Sequence, residues 1–196
     1  MLKAQVTSMQ TLEPVTRRFS KQECYQMAEL SWFESQRVEL IEGEILLSSS
    51  QKHPHYVALD RVADVLRAAS GYWVRTQAPL DLGPATEPQP DVAVVKGDRS
   101  EHTSHPKTAL LVVETSPSSL GYDREQKAAI YARAEIQDYW IVNLVGHALE
   151  VCRSPIADPT HPFGYRYASV TSLTSRDTVL PLALPGTSIA VKSLLG

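Results

Sequence analysis

Two carboxylates mark the ends of neighbouring apolar runs in this chain: Asp91 begins DVAVV and Glu114 ends LLVVE. The connection between the runs is about a dozen polar residues, too short for a helical crossover, which predicts antiparallel strands with Asp91 facing Glu114. Like charges that face each other repel, and a hard cation offsets this because it prefers carboxylate oxygens. The pair therefore predicts a metal site for Mg²⁺, with Mn²⁺ as a substitute. The competing interpretation is that each carboxylate caps a turn or lies at a solvated strand end.

A lysine stands on the apolar side of the helix expected after Glu114. Lys127 is followed by Ile130 and Tyr131, three and four residues on, so it opens the stripe that should pack on the sheet. Because a buried ammonium is costly without anionic partners, we expect Asp91, Glu114 or a bound phosphate beside it. Placed there, it would polarise an attacking water or stabilise charge on a phosphodiester. The alternative is a lysine whose stem packs on the sheet while its head reaches water.

The surrounding pattern predicts three helices. A capping box of Ser20 and Glu23 starts a short one, and spaced apolar residues over 54–69 give an amphipathic one. The third is expected over 122–135, with Asp123 as its N-cap.

Between and after the helices, β-prone runs predict the strands of one sheet. Together they indicate a single α+β (α/β) domain over residues 1–196, with a central mixed sheet flanked by helices. Residues 1–15 are expected to be a tail or arm, residues 144–196 to add C-terminal strands, and AVKSLL is left unassigned. The expected strand segments are RVELIEGEILLSS, as a pair or bent strand around Gly43, then YWVRTQAPLDL, PDVAVVKG, ALLVVET, DYWIVNLVGHALEVCRS as two strands, YRYASV and TVLPLAL.

The composition is that of an ordinary soluble domain, with 43% hydrophobic and 21% charged residues. The net charge of −3 gives no basic surface that could wrap nucleic acid, so any such contact would be local. Cys24 and Cys152 lack CxxC spacing, which suggests neither disulfides nor a zinc site. No apolar run reaches the roughly 18 residues of a membrane helix. We therefore expect a cytoplasmic protein with no membrane segment.

Four segments resemble the Uma2 (DUF820) family of restriction-endonuclease-like proteins, within the PD-(D/E)XK nuclease superfamily. They are VELIEGEI, QPDVAVV, LLVVETSPSSLGYDREQKAAIYARA and IQDYWIV, which run in this order from about residue 38 to 143. The resemblance implies a restriction-endonuclease-like core that hydrolyses phosphodiesters with a metal. Carried over, Asp91 and Glu114 would be metal ligands, Lys127 the catalytic lysine, and Glu39 a further acid.

One position departs from the superfamily pattern. The usual lysine lies two residues after the acidic strand residue, where this chain has Ser116, so the resemblance implies that Lys127 in the next helix replaces it. No histidine is placed by the sequence to activate Ser116 as a nucleophile. His53 and His55 are interpreted as a polar helix start rather than as ligands, and Tyr131 as a packing residue that could also orient Lys127.

These observations lead to a Mg²⁺-dependent DNA endonuclease as the first hypothesis. A catalytically inactive nucleic-acid-binding or regulatory module with the same fold is the second, and a structural protein that dimerises through the extra strands is the third. A homodimer is also compatible with the nuclease, because duplex cleavage needs two active sites or two visits.

Overall fold

The structure is a computed structural model that describes residues 15–34, 36–48, 53–116 and 119–196. Most of the predicted tail over 1–15 and the last residue of the predicted N-terminal strand pair, residue 49, lie outside these ranges. No helix in the described part of the chain is long and apolar enough to cross a membrane. The helices are α1 (Lys21–Glu29), α2 (His53–Ala69), α3 (Leu120–Tyr122), a π-helical segment (Asp123–Lys127), α4 (Ala128–Arg133) and α5 (Lys192–Leu195). The strands are β1 (Arg37–Ile41), β2 (Glu44–Ser48), β3 (Trp73–Thr76), β4 (Val92–Val95), β5 (Leu111–Ser116), β6 (Asp138–Asn143), β7 (Ala148–Ala157), β8 (Tyr165–Leu173), β9 (Thr178–Val179) and β10 (Ile189–Ala190).

A six-stranded sheet in the order β3-β4-β5-β6-β7-β8 forms the centre of the fold. β5 and β6 are parallel and all other neighbours are antiparallel. A parallel neighbour needs a crossover, and α3, the π-helical segment and α4 supply it. The predicted mixed sheet flanked by helices is therefore confirmed.

Apolar side chains cover both faces of this sheet. On one face Val62 and Leu66 of α2 pack against Val92 and Trp140, in a cluster that also includes Leu194 of α5. On the other face, Tyr131 of α4 packs with Tyr139 and Ile141. Every residue of β6 is buried, as expected for a central strand with helices on both sides. Each fully buried apolar side chain contributes about 1.5–3 kcal/mol, so this double core fixes the strand ends in place.

A separate hairpin of β1 and β2 packs beside the main sheet. Its two-residue turn, Glu42 and Gly43, has positive φ at both positions (52° and 82°), the geometry of a tight turn that follows strand twist. A bridge between Leu40 and Glu87 attaches the hairpin to the segment that leads into β4. The predicted strand pair around Gly43 is thus confirmed.

Three local predictions were wrong. Asp123 does not cap a helix, because helical structure already begins at Leu120 and Asp123 lies inside it. The strand predicted over 72–82 stops at Thr76, since Gln77 has a positive φ of 48°. In TVLPLAL only Thr178 and Val179 are in a strand. The capping box of Ser20 and Glu23 is present as predicted.

Candidate active site

The β4–β5 pair brings Asp91 and Glu114 into contact. Val92 pairs with Val113, so Asp91 and Glu114 are the next positions in register. The Asp91 backbone N–H donates to Glu114 Oε2 at 3.3 Å, and both side chains are buried. The two carboxylates that the sequence set at neighbouring strand ends therefore share one site.

Asp91 is held as a carboxylate by donors on one oxygen. Its Oδ2 accepts from the Thr115 backbone N–H at 2.9 Å and from Thr115 Oγ1 at 2.7 Å, and lies 2.9 Å from His55 Nε2. Burial alone would raise the pKa of Asp91, but the bonds from His55 and Thr115 outweigh it and hold this pKa well below its usual range. Burial lowers the pKa of His55, and the Asp91 bond and charge raise it by more, so the imidazole favours its protonated form.

Glu114 and Glu39 share the ammonium of Lys127. Lys127 Nζ lies 2.9 Å from Glu114 Oε1 and 3.2 Å from Glu39 Oε2, and all three side chains are buried. Burial lowers the pKa of Lys127, but the two carboxylates raise it well above its usual range, so the lysine stays charged. Burial raises the pKa of Glu114 and the charge of Lys127 opposes this increase, so the ionised form of Glu114 depends on the neighbouring ammonium.

The π-helical segment places Lys127 in this cluster. The Ala128 backbone N–H donates to the Asp123 carbonyl, five residues back, so the turn is wider than in an α-helix. Single π turns within helices occur frequently at functional sites. Both Asp123 and Lys127 are buried on the inner side of this turn. Ser119 Oγ donates to Asp123 at 2.7 Å, and burial raises the pKa of Asp123.

Sequence reasoning missed Arg37, which lies between two of the acids. Its guanidinium is 3.6 Å from Asp91 Oδ1 and 3.7 Å from Glu39 Oε1. A signal was present, because Arg37 and Glu39 are two residues apart on β1 and therefore point to the same face of the hairpin.

Three other residues contribute more, or differently, than the sequence indicated. His55 does more than start a helix, because it contacts Asp91. Tyr131 packs in the core as expected, and its hydroxyl also donates to Glu114 Oε1 at 2.8 Å. Ser116 is fully buried with its Oγ 3.4 Å from Ser119 Oγ.

Tyr122 adds a hydroxyl with no hydrogen-bond partner among the described residues. The oxygen is buried, and burial raises the pKa of Tyr122 well above its usual range, with the charges of Lys127 and Glu39 also acting on it. This hydroxyl is therefore a donor beside the charged cluster whose hydrogen bond no described residue accepts.

Two carboxylate oxygens of the cluster fit a hard cation. Among described residues, Asp91 Oδ1 has contacts no shorter than 3.5 Å, to Gln77 Nε2 and Arg37, and Glu114 Oε2 has the 3.3 Å bond from Asp91. Mg²⁺ commonly takes one or two carboxylates and completes its octahedron with water and phosphate. The same part of the chain contains no group of three or more His, Cys, Asp or Glu side chains arranged to hold an ion.

The fold is a mixed sheet between helices, with a buried cluster of carboxylates and a lysine where β4 and β5 meet the helical crossover. The Uma2 family model, described as "Putative restriction endonuclease", matches residues 22–192, and the chain belongs to this family. The fold is similar to a crystal structure of a "putative nuclease belonging to DUF820" from Anabaena variabilis ATCC 29413. That similarity has a TM-score of 0.59 at 12% sequence identity and covers 81% of this chain and 89% of the other. No curated protein matches the sequence.

Proposed function

We propose that this Uma2 protein is a Mg²⁺-dependent endonuclease that hydrolyses phosphodiester bonds of DNA. The observation that carries the proposal is the contact of Asp91, Glu114 and Lys127 in one buried cluster. Membership of a family described as "Putative restriction endonuclease" supports DNA as the substrate.

In this proposal Asp91 and Glu114 hold the cation through the oxygens that their strongest bonds leave free. When bound by these two carboxylates, Mg²⁺ would supply a Lewis acid for a phosphoryl oxygen and would lower the pKa of a water. His55 and Thr115 fix the orientation of Asp91 through its other oxygen, and Tyr131 does the same for Glu114.

Lys127 acts on the phosphate in the proposed reaction. The oxygen of a water forms a bond to phosphorus and the water gives up a proton to solvent, while the ester P–O bond breaks in line and the departing oxygen takes a proton from solvent. The ammonium of Lys127, oriented by Glu39, stabilises the negative charge that grows on the phosphoryl oxygens. The free hydroxyl of Tyr122 is a second donor for one of these oxygens.

One observation favours the inactive binding or regulatory module as a second candidate. The cluster already contains its own cations, since Lys127 pairs with Glu114 and Glu39 while Arg37 lies 3.6 Å from Asp91. Carboxylates with cationic neighbours of this kind do not need a metal to offset their charge, as a retained fold with no activity would require.

Nicking of supercoiled plasmid with Mg²⁺ or Mn²⁺ tests the proposal. We expect cleavage that stops with EDTA and falls by about 100-fold or more in Glu114→Gln and in Lys127→Met, the loss typical of one preorganised electrostatic group. Asp158→Asn is the control, because Asp158 is likewise a carboxylate paired with a cationic side chain, that of Arg166, but lies outside the cluster.

The outcomes separate the candidates. Metal-dependent nicking that survives both cluster substitutions would rule out the assigned site. A wild-type protein that binds DNA equally with and without metal, and leaves plasmid intact, would support the inactive module. A parallel reaction on single-stranded RNA measures whether cleavage is restricted to DNA.

A further inference from the structure

The six-stranded sheet ends in β8, whose outer edge pairs with no other strand in the described part of the chain. β8 has nine residues, and the five over 168–172 are all exposed. At a rise of about 3.4 Å per residue, this edge is roughly 30 Å long. Its outward N–H and C=O groups form a template on which another strand can pair.

β8 lacks the features by which proteins usually prevent pairing at a sheet edge. Those features are short length, charged side chains, proline and bulges. Residues 167–173, with the sequence YASVTSL, contain neither a charge nor a proline. The pairing of β8 with β7 has the same register at both ends, so no bulge bends the edge away. By contrast β3, the opposite edge of the sheet, has only four residues and includes Arg75.

Apolar side chains are exposed along the same edge. Val170, in the middle of β8, is 62% exposed, and Leu180 and Leu182 are 51% and 52% exposed. The leucine segment lies near the strand, because Arg153 of β7 pairs with Ser169 of β8 and donates to the Leu180 carbonyl. A partner that covers the edge removes these groups from water, which favours association.

We propose that β8 pairs antiparallel with β8 of a second copy of this chain, about a two-fold axis at Val170. The two six-stranded sheets then join into one continuous sheet. In this register Val170 faces Val170 of the partner subunit, and all seven uncharged residues over 167–173 face one another. The facing pairs are Tyr167 with Leu173, Ala168 with Ser172, and Ser169 with Thr171.

The lack of charge favours a second copy over a different protein. In a two-fold interface the same strand lies on both sides, so a charge near the axis would face its own copy and repel it. β8 has no charge over 167–173 and avoids this penalty. Charges and their complements usually select a foreign partner, and this stretch offers none.

A disulfide at the axis tests both the pairing and its register. Opposed residues of an antiparallel pair have Cα atoms about 4.5–5.5 Å apart, within the range of about 4.4–6.8 Å that a disulfide spans. Val170→Cys should therefore give a covalent dimer on mild oxidation, seen on a non-reducing gel. Val145→Cys is the matched control, because Val145 is 70% exposed but lies in the turn between β6 and β7, and it should stay monomeric. The native Cys24 and Cys152 are both buried.

Sedimentation equilibrium measures the same contact without a cross-link. Wild type should have twice the mass of one chain. Val170→Lys places two ammonium groups against each other on the axis and should raise the Kd of the dimer by more than tenfold. Val145→Lys makes the same change at the exposed turn and should leave the mass unchanged. Circular dichroism checks that both lysine variants are folded.

Three results would overturn the inference. They are a wild type that stays monomeric at its highest soluble concentration, a dimer that Val170→Lys leaves intact, and a Val170→Cys variant that cross-links no faster than Val145→Cys. Mass and cross-linking are measured without DNA or metal, so the outcome is independent of the proposed nuclease function.

Discussion

Two buried aspartates of the same sheet, Asp138 and Asp91, are held in different ways. Asp138 accepts from Trp140 Nε1 at 2.8 Å, from Arg153 Nε at 2.8 Å and from the Leu182 backbone N–H at 2.9 Å, with both oxygens engaged. Asp91 is bonded as closely on Oδ2, but its Oδ1 has no contact shorter than 3.5 Å among the described residues.

The difference separates a structural carboxylate from one that can bind a ligand. An unpaired acceptor in the interior costs about 1–3 kcal/mol, so a carboxylate with only a structural role is surrounded by donors on both oxygens. Asp91 and Glu114 instead each keep one weakly engaged oxygen, Oδ1 and Oε2 respectively. Four measurements test whether the two kinds of carboxylate differ in this way.

The largest effect is expected at Asp138. Asp138→Ala removes the acceptor of Trp140 Nε1, Arg153 Nε and the Leu182 backbone N–H, so the free energy of unfolding should fall by about 3 kcal/mol. Urea denaturation measures this, and nicking per folded molecule should be unchanged. A variant as stable as wild type would show that the saturated network is not structural.

Asp91 should matter for metal binding. At a Mg²⁺ concentration of about 100 Kd, bound cation should stabilise wild type by about 2.7 kcal/mol and raise its melting temperature. Asp91→Asn removes a charged ligand, so this increase should disappear, whereas Asp158→Asn should retain it. An equal increase in Asp91→Asn would place the cation elsewhere.

Two tyrosines allow the same chemical change at a bonded and an unbonded hydroxyl. Tyr131→Phe removes the 2.8 Å bond to Glu114 and should lower the free energy of unfolding by about 1 kcal/mol. Tyr122→Phe removes a hydroxyl without a described partner and should change stability by less than about 0.5 kcal/mol. Nicking should nevertheless fall in Tyr122→Phe, and unchanged nicking there would exclude the hydroxyl as a substrate donor.

The smallest effect concerns Glu150, another carboxylate engaged on both oxygens. Arg124 donates to both of them at 2.8 and 2.6 Å, and this bond lowers the pKa of Glu150 against the opposing effect of burial. Because folding lowers the pKa of Glu150, its ionised carboxylate stabilises the fold at pH values above its ordinary pKa of 4.5. This stabilisation is lost as the pH falls through the lower pKa of the folded state. Because Arg124 is nearly half exposed, Glu150→Gln should cost about 0.5 kcal/mol near neutral pH. Chemical denaturation should show this difference shrinking below pH 4.5. A constant difference would rule out the charge as its source.

The sequence was sufficient where short connections decide the geometry. The contact of Asp91 with Glu114 followed from two apolar runs and a loop too short for a crossover. The burial of Lys127 followed from its position on the apolar stripe of the helix. In both cases the partners lie on neighbouring elements whose mutual orientation the chain length constrains.

The remaining members of the cluster depend on packing between distant segments. His55 reaches Asp91 from α2, and no pattern in the helix shows which strand end it will face. Glu39 was assigned through the family resemblance alone. Its hairpin lies outside the main sheet and is bridged from Leu40 to Glu87, in the segment that leads into β4, so no strand pattern places Glu39 beside Lys127. The π turn that buries Asp123 has no counterpart in simple helical periodicity.

The β1–β2 hairpin has a consequence for how this protein tolerates change. Its first strand places Arg37 and Glu39 in the cluster. Val38 and Leu40 of the same strand line an apolar cavity between β1 and α1. A one-residue insertion or deletion near the turn would slip the pairing and turn every one of these side chains to the opposite face. Length changes at this turn should therefore destroy the cluster and the cavity together, whereas the longer connection between β4 and β5 can absorb them.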